Sequence, residues 1–243
     1  LLDRSALHHS RPLVPVLLAF CACFVDVVCI LGLFHTFTAF ITGTLVVLCT
    51  EVFHKGDNAA LKVFVLAMFF VSTLFWFTAV TRLIRAGRVT VGQLFALEAA
   101  LVAAFMLVAG LGDPSVSGPL GAVTLVAVGL STVAMALQNV IMLTLLHRHV
   151  PTTMMTGNSL KLVLGIADYF QHPENREDSR SRIVHQALVI AAFAAGGLLA
   201  SLLMTLFGFW ALAVPVAVLL LLAAVQPSSE GELAETGAQA RRS

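Results

Sequence analysis

The sequence predicts an all-α polytopic membrane protein of about six spans, built from two pseudo-symmetric halves. Three observations carry that expectation. Hydrophobic residues make up 59% of the 243 residues and charged residues 11%, with a mean hydropathy of +0.96; soluble domains average about a quarter charged. The apolar runs are long and unbroken rather than alternating, which selects helices over a barrel, the two structures that satisfy a backbone in lipid. Finally, one polar phrase occurs twice inside apolar sequence, as His35-Thr-Phe-Thr-Ala-Phe-Ile-Thr-Gly-Thr44 and His149-Val-Pro-Thr-Thr-Met-Met-Thr-Gly-Asn158. In a gapless alignment His, Thr, Thr and Gly fall at the same four places.

The elements follow in order. Residues 1–12 are polar and basic, with Arg4 and Arg11, and are expected on the cytoplasmic side. Residues 13–33 form a first span, long enough to be retained rather than cleaved as a signal peptide. Residues 37–53 are apolar but shorter and hold the first motif. Residues 61–82 form a second span closed by Arg82, Arg85 and Arg88, and residues 92–112 a third that ends at Gly112-Asp113-Pro114. That turn separates a first half, 13–113, from a second, 114–226. The second half repeats the order: a span at 119–146, a motif segment at 152–170, a charged loop at 171–183, and spans at 184–207 and 210–226. Residues 227–243, rich in Glu, Gly and Ser, read as a disordered polar tail.

Two topologies are open. If both motif segments cross, there are eight spans and Arg82, Arg85, Arg88 and Arg148 fall opposite the N-terminus. If both return to the side they left, there are six, nearly every arginine is cytoplasmic, and Lys55 and Lys62 lie outside. The positive-inside rule favours six. Three spans per half then make the halves inverted, and the motif segments enter from opposite faces. Weak internal symmetry with an interrupted helix in each half points to a membrane transport site.

Candidate site residues come from polar groups inside apolar sequence. Asp26 lies two-thirds along the first span, where an Asp costs about 2.5–3.5 kcal/mol and needs a partner, a proton or water. It is either an ion or proton site or a carboxyl that locks two helices. Gln138 and Asn139 occupy the matching region of the fourth span and offer both donors and acceptors. Thr38 and Thr42, like Thr152 and Thr156, are four apart and would share a helix face. Each pair is followed by a glycine, Gly43 or Gly157, which permits a helix break or a close helix contact. Asn158 closes the second copy, and Lys161 follows three residues later, within conceivable reach of Asp26. Lys161 and Glu98 are both candidates for an intramembrane ionisable group; for Glu98, ten residues past Arg88, snorkelling to the surface is the favoured reading. His35, His147 and His149 read as an interfacial cluster. Cys21, Cys23, Cys29 and Cys49 read as small buried residues without zinc spacing.

Asp26, the Phe37 to Thr44 phrase, Leu137-Gln138-Asn139 and Thr152 to Asn158 resemble the YoaK family of bacterial integral membrane proteins, a family of unknown function. Members usually carry Thr-Gly-Asn in the first copy, where this chain has Thr44. The resemblance implies a multi-pass protein of the bacterial inner membrane with about six spans, and no established substrate.

No nucleophile elbow, phosphate loop or metalloprotease motif is present, so no enzyme, cofactor or metal is expected. The net charge of +1 argues against a nucleic-acid partner. The expected function is a small transporter or permease for a small polar solute or ion, open to proton coupling through Asp26. A non-transporting membrane scaffold or accessory subunit is the alternative. The expected partners are the lipid bilayer and the solute, and a homo-oligomer is compatible with the sequence.

Overall fold

A computed structural model describes residues 13–54, 58–145, 155–172 and 176–225. Thr152, Lys55, His147, His149 and the two terminal segments lie outside the described residues. All regular structure within them is helical. The helices are α1 (Leu13–Gly32), α2 (Ile41–His54), α3 (Ala59–Arg85), α4 (Val91–Gly112), the single turn α5 (Pro114–Ser117), α6 (Ala122–Thr144), α7 (Met155–Gln171), α8 (Arg176–Phe207) and α9 (Ala213–Val225). A 3₁₀ stretch, Gly208–Leu212, joins the last two.

Five helical stretches among the described residues are long and apolar enough to cross a membrane. The fifth covers 47 residues, Ser179–Val225, or roughly 70 Å at 1.5 Å per residue, about twice a hydrocarbon core. It does not run straight. Gly208 takes φ +58°, and the chain reverses there. Gly32 lies against Met204 and Phe209, Phe20 against Gly196, and Cys21 against Pro215. Thus α8 runs parallel to α1 and α9 runs back along it.

Other contacts set the remaining directions. The Lys62 ammonium at the start of α3 reaches the Phe34 carbonyl just past the end of α1, so the two helices are antiparallel. The α3–α4 turn is short. Gly87 at φ +65° ends α3, and Thr90 opens α4 with a capping box to Gln93. At the midpoint Asp113 accepts from the Ser115 N–H (3.0 Å) and hydroxyl (2.6 Å), and Pro114 starts the turn. Phe64 faces Gly129, and the Trp76 indole donates to the Val133 carbonyl at 3.0 Å, so α6 is parallel to α3. The six long passes therefore alternate in direction.

Burial identifies the centre. In α1 and α6, 67% and 72% of the spanning window is buried, against 17% in α3. The central pair packs on α8 and α3 respectively, with α4 and α9 alongside. Small residues bring α1 and α8 together: a Cβ on Gly196 would sit 2.4 Å from the Phe20 carbonyl oxygen, and one on Gly197 2.8 Å from the Cys23 sulfur. The outer faces of α3, α7 and α8 expose large apolar side chains such as Phe70, Leu74, Leu164 and Leu198, as lipid-facing helices do. The described arginines, Arg82, Arg85, Arg88, Arg176, Arg180 and Arg182, all lie at one end of the bundle, where α3 finishes and α8 begins.

Candidate functional site

Asp26 sits six residues before the end of α1, about 9 Å inside the bundle by helical rise. The chain leaves α1 through Phe34 and His35, both with positive φ (53° and 57°), and turns back inward. Residues 38–40 return to the level of Asp26. Its Oδ1 accepts the N–H groups of Thr38 (2.7 Å) and Ala39 (2.8 Å), and Oδ2 accepts that of Phe40 (2.8 Å). Helix α2 starts at Ile41. A helix start leaves N–H groups without intrahelical partners and carries partial positive charge. Asp26 accepts the N–H of Phe40, at the N-cap of α2, and the two N–H groups before it, so a carboxylate from another helix sits at the positive end of α2. The helix then runs outward, and Glu51 near its end pairs with the buried Lys62 at 2.8 Å. The first motif segment is therefore re-entrant.

The second motif segment has a related placement. Met155, at the start of α7, packs beside Val16 and Ala19 of α1 together with Val189 and Phe193 of α8. That is also the level where the Gln138 amide donates to the Leu18 carbonyl (3.1 Å). From there α7 runs outward antiparallel to α8, with Gly165 against Ile183 and Asp168 bonded to Ser179 and Arg182. Two short helices thus begin inside the bundle against the central α1/α6 pair, about 12 Å apart along it by helical rise.

Around Asp26 lies a fully buried polar cluster. The Thr38 hydroxyl contacts Asp26 Oδ1 at 3.4 Å and the Ser131 hydroxyl of α6 at 2.8 Å. Cys29 Sγ lies 3.4 Å from the Ser131 oxygen and 3.6 Å from that of Thr38. The cluster ties the first half of the chain to the second. Thr44 supports it from the first turn of α2: its hydroxyl accepts the Phe37 N–H (2.8 Å) and donates to the Phe37 carbonyl (2.6 Å).

Several sequence expectations are corrected. Thr38 and Thr42 do not share a helix face, because Thr38 precedes the helix; Thr42 is exposed and Thr38 buried. Gly43 breaks no helix. It lies in the first turn of α2 under the edge-to-face pair Phe37 and Phe40, whose rings would meet an added Cβ at 2.9 Å. Thr156 and Gly157 are exposed, and Gly157 has open space around it. Asn158 is buried, with its amide 3.8 Å from Met155 Sδ. Asn139 turns back on its own helix to the Met135 carbonyl (3.0 Å). Lys161 is exposed, and the Asp26 carboxylate is held by amides instead. Cys49 is exposed while the other three cysteines are buried.

Glu98 does not snorkel. It is wholly buried, because its position on α4 faces the bundle rather than lipid. The sequence does not single out Ser131, and in it Cys29 reads only as a small buried residue. Serine and cysteine in an apolar run look like ordinary small packing residues, and a spacing of 93 residues between Ser131 and Thr38 leaves no local signal.

No match to the chain was found among curated proteins or among solved structures. A family model does match, over residues 14–225, from the second residue of α1 to the end of α9. That match does not carry the YoaK name. The chain belongs to the family described as protein of unknown function, DUF1275.

Proposed function

We propose that this chain is a small transporter or permease of the bacterial inner membrane, moving a small polar solute or ion between two inverted halves. The observation that carries the reading is the pair of short helices whose N-terminal ends lie inside the bundle. Discontinuous helices that start near the midplane are the element from which many secondary transporters build their sites. Irregular backbone at that depth is tolerated where it is buried in protein or lines a cavity. In this reading Thr38, Ser131, Gln138 and Asn158 face the solute path between the halves, with Thr152 in the same motif as Asn158. Asp26 holds the first re-entrant segment in place, so its part is to position that segment.

The helix pairings support the two-halves reading. Exchanging the halves exchanges α1 on α8 with α6 on α3, α2 on α3 with α7 on α8, and α4 on α6 with α9 on α1. The directions of the long passes reverse in the same exchange. Arginines gathered at one end favour that end as cytoplasmic. The chain acts without a cofactor and as a carrier rather than an enzyme, as a monomer or a homo-oligomer, and has no nucleic-acid partner.

A scaffold is the second reading, favoured by the fully bonded Asp26 carboxylate, which serves packing as it stands. Flux decides between them. Purified protein in liposomes should release or take up members of a panel of small polar solutes faster than empty liposomes. The Ser131→Val variant should change that flux while keeping the fold. If a broad panel of ions and polar metabolites crosses no faster than through protein-free bilayers, the scaffold reading replaces transport.

A further inference from the structure

We propose that Glu98 is a proton-binding site, the carboxyl that gives up and regains a proton as the bundle changes state. Its use in transport rests on the reading above; its chemistry does not. Glu98 is the eighth residue of α4, about 10 Å from the helix start by helical rise. It is 0% exposed, and neither carboxyl oxygen has a hydrogen-bond partner among the described residues. Around it on the same helix are the buried Leu94, Phe95 and Val102.

No charge faces it. Helix α6, packed against α4, carries no ionisable residue between Ala122 and Thr144, and neither does the chain from Gly208 to Val225 that packs on the other side. Among the described residues, the titratable group within electrostatic reach is the Cys21 thiol of α1, itself turned toward the Pro215 carbonyl at 4.0 Å. Asp26 lies further along α1 and is occupied by three amides. An ionised, unpaired carboxylate in such surroundings is penalised by several kcal/mol, whereas the neutral acid is not. An apolar side chain would pack better, and a structural polar group would have a partner. What remains for an isolated buried carboxyl is a change of charge.

Water would reach Glu98 by a shift of α9 on α4. Gly208 and the 3₁₀ stretch make the turn between α8 and α9, about two to three helical turns beyond Glu98 along α4, and Pro215 lies in the first turn of α9. Phe209 and Trp210 seat the 3₁₀ stretch on Phe105 and Gly110 of α4. When α9 shifts, the Glu98 acid transfers its proton to entering water and is left as a hydrated carboxylate; closure requires a proton to return from water.

The test uses the full chain in liposomes and dicyclohexylcarbodiimide, an apolar reagent that takes protonated carboxyls. The acid O–H adds across one C=N bond, and the acyl group then shifts to nitrogen to give a stable acylurea. Peptide mass spectrometry should find the adduct on Glu98, falling away as pH is raised, and not on Asp26 or Glu51. Absence of the adduct on Glu98 at every pH, or labelling that ignores pH, overturns the proposal. Proton movement after an imposed pH step, read by an entrapped dye, is the second arm. Loss of flux is expected in Glu98→Gln and retention in Glu98→Asp, which keeps the carboxyl. Equal flux in wild type and a folded Glu98→Gln variant overturns the site and leaves transport standing. pH-dependent labelling without any flux in wild type keeps the site and removes transport. If Glu98→Gln does not fold, the wild-type labelling decides alone.

Discussion

Replacing Asp26 by Asn tests what the buried carboxylate does. The substitution preserves shape and removes charge. In the wild type two oxygens accept three backbone N–H groups at 2.7–2.8 Å. In the Asn variant one oxygen can still accept from Thr38 and Ala39, but as a neutral acceptor, which forfeits about 1 kcal/mol for each bond. The amide nitrogen then faces the Phe40 N–H, donor against donor, and an unsatisfied buried donor adds about 1–3 kcal/mol. The sum, about 3–5 kcal/mol, is a large part of a typical folding free energy. The loss should concentrate in residues 36–44, which Asp26 anchors, rather than spread across α4 or α9. Unfolding of the purified protein in detergent should therefore begin at lower temperature or denaturant. Hydrogen exchange should quicken most at the amides of residues 38–40. An Asn variant that unfolds like wild type, with those three amides equally protected, would refute the placement of the Asp26 carboxylate at the start of α2.

Four further outcomes are expected. Gly43→Ala should destabilise by about 1–3 kcal/mol because its Cβ meets two rings at 2.9 Å, whereas Gly157→Ala, in open space, should be neutral in the same unfolding assay; equal effects would contradict the placement. Lys62→Met should destabilise by about 3–5 kcal/mol by stranding Glu51, with partial recovery in the double variant carrying Glu51→Gln; no recovery would show that the pair is not the cause. Cysteines placed at His35 and at Arg176 should label from opposite sides of sealed vesicles, and labelling from one side would exclude the alternating passes. Asp168 is held below the ordinary carboxylate range, first by the Ser179 hydroxyl and then by His172 and Arg182. Its support of the α7–α8 contact is present above the unfolded value of about 3.9 and is lost as pH falls through the lower folded value. Exchange at the end of α7 should rise only in that acid window and should not change with pH in Asp168→Asn.

Composition and unbroken apolar runs are enough to establish a helical membrane protein, because lipid leaves a backbone few other ways to bond itself. The first copy of the recurring phrase leads into α2, which begins inside the bundle, while most of the second copy lies outside the described residues; Asp26 stands out because a carboxylate in an apolar run is costly. Local spacing failed where it assumed helix. It paired Thr38 with Thr42 by an i, i+4 rule that has no force before Ile41, where the backbone is not helical. It sent Glu98 to the surface, because a sequence in which nearly every face of α4 is apolar does not reveal which face meets protein and which meets lipid. Only the tertiary structure decides that, by packing α6 and α9 over one side of α4. It likewise brings Ser131 to Thr38 across 93 residues and supplies Asp26 with its three amides. Those partners are set by helix directions and crossings. They arise from contacts between segments, and no window along the chain contains both members of such a contact.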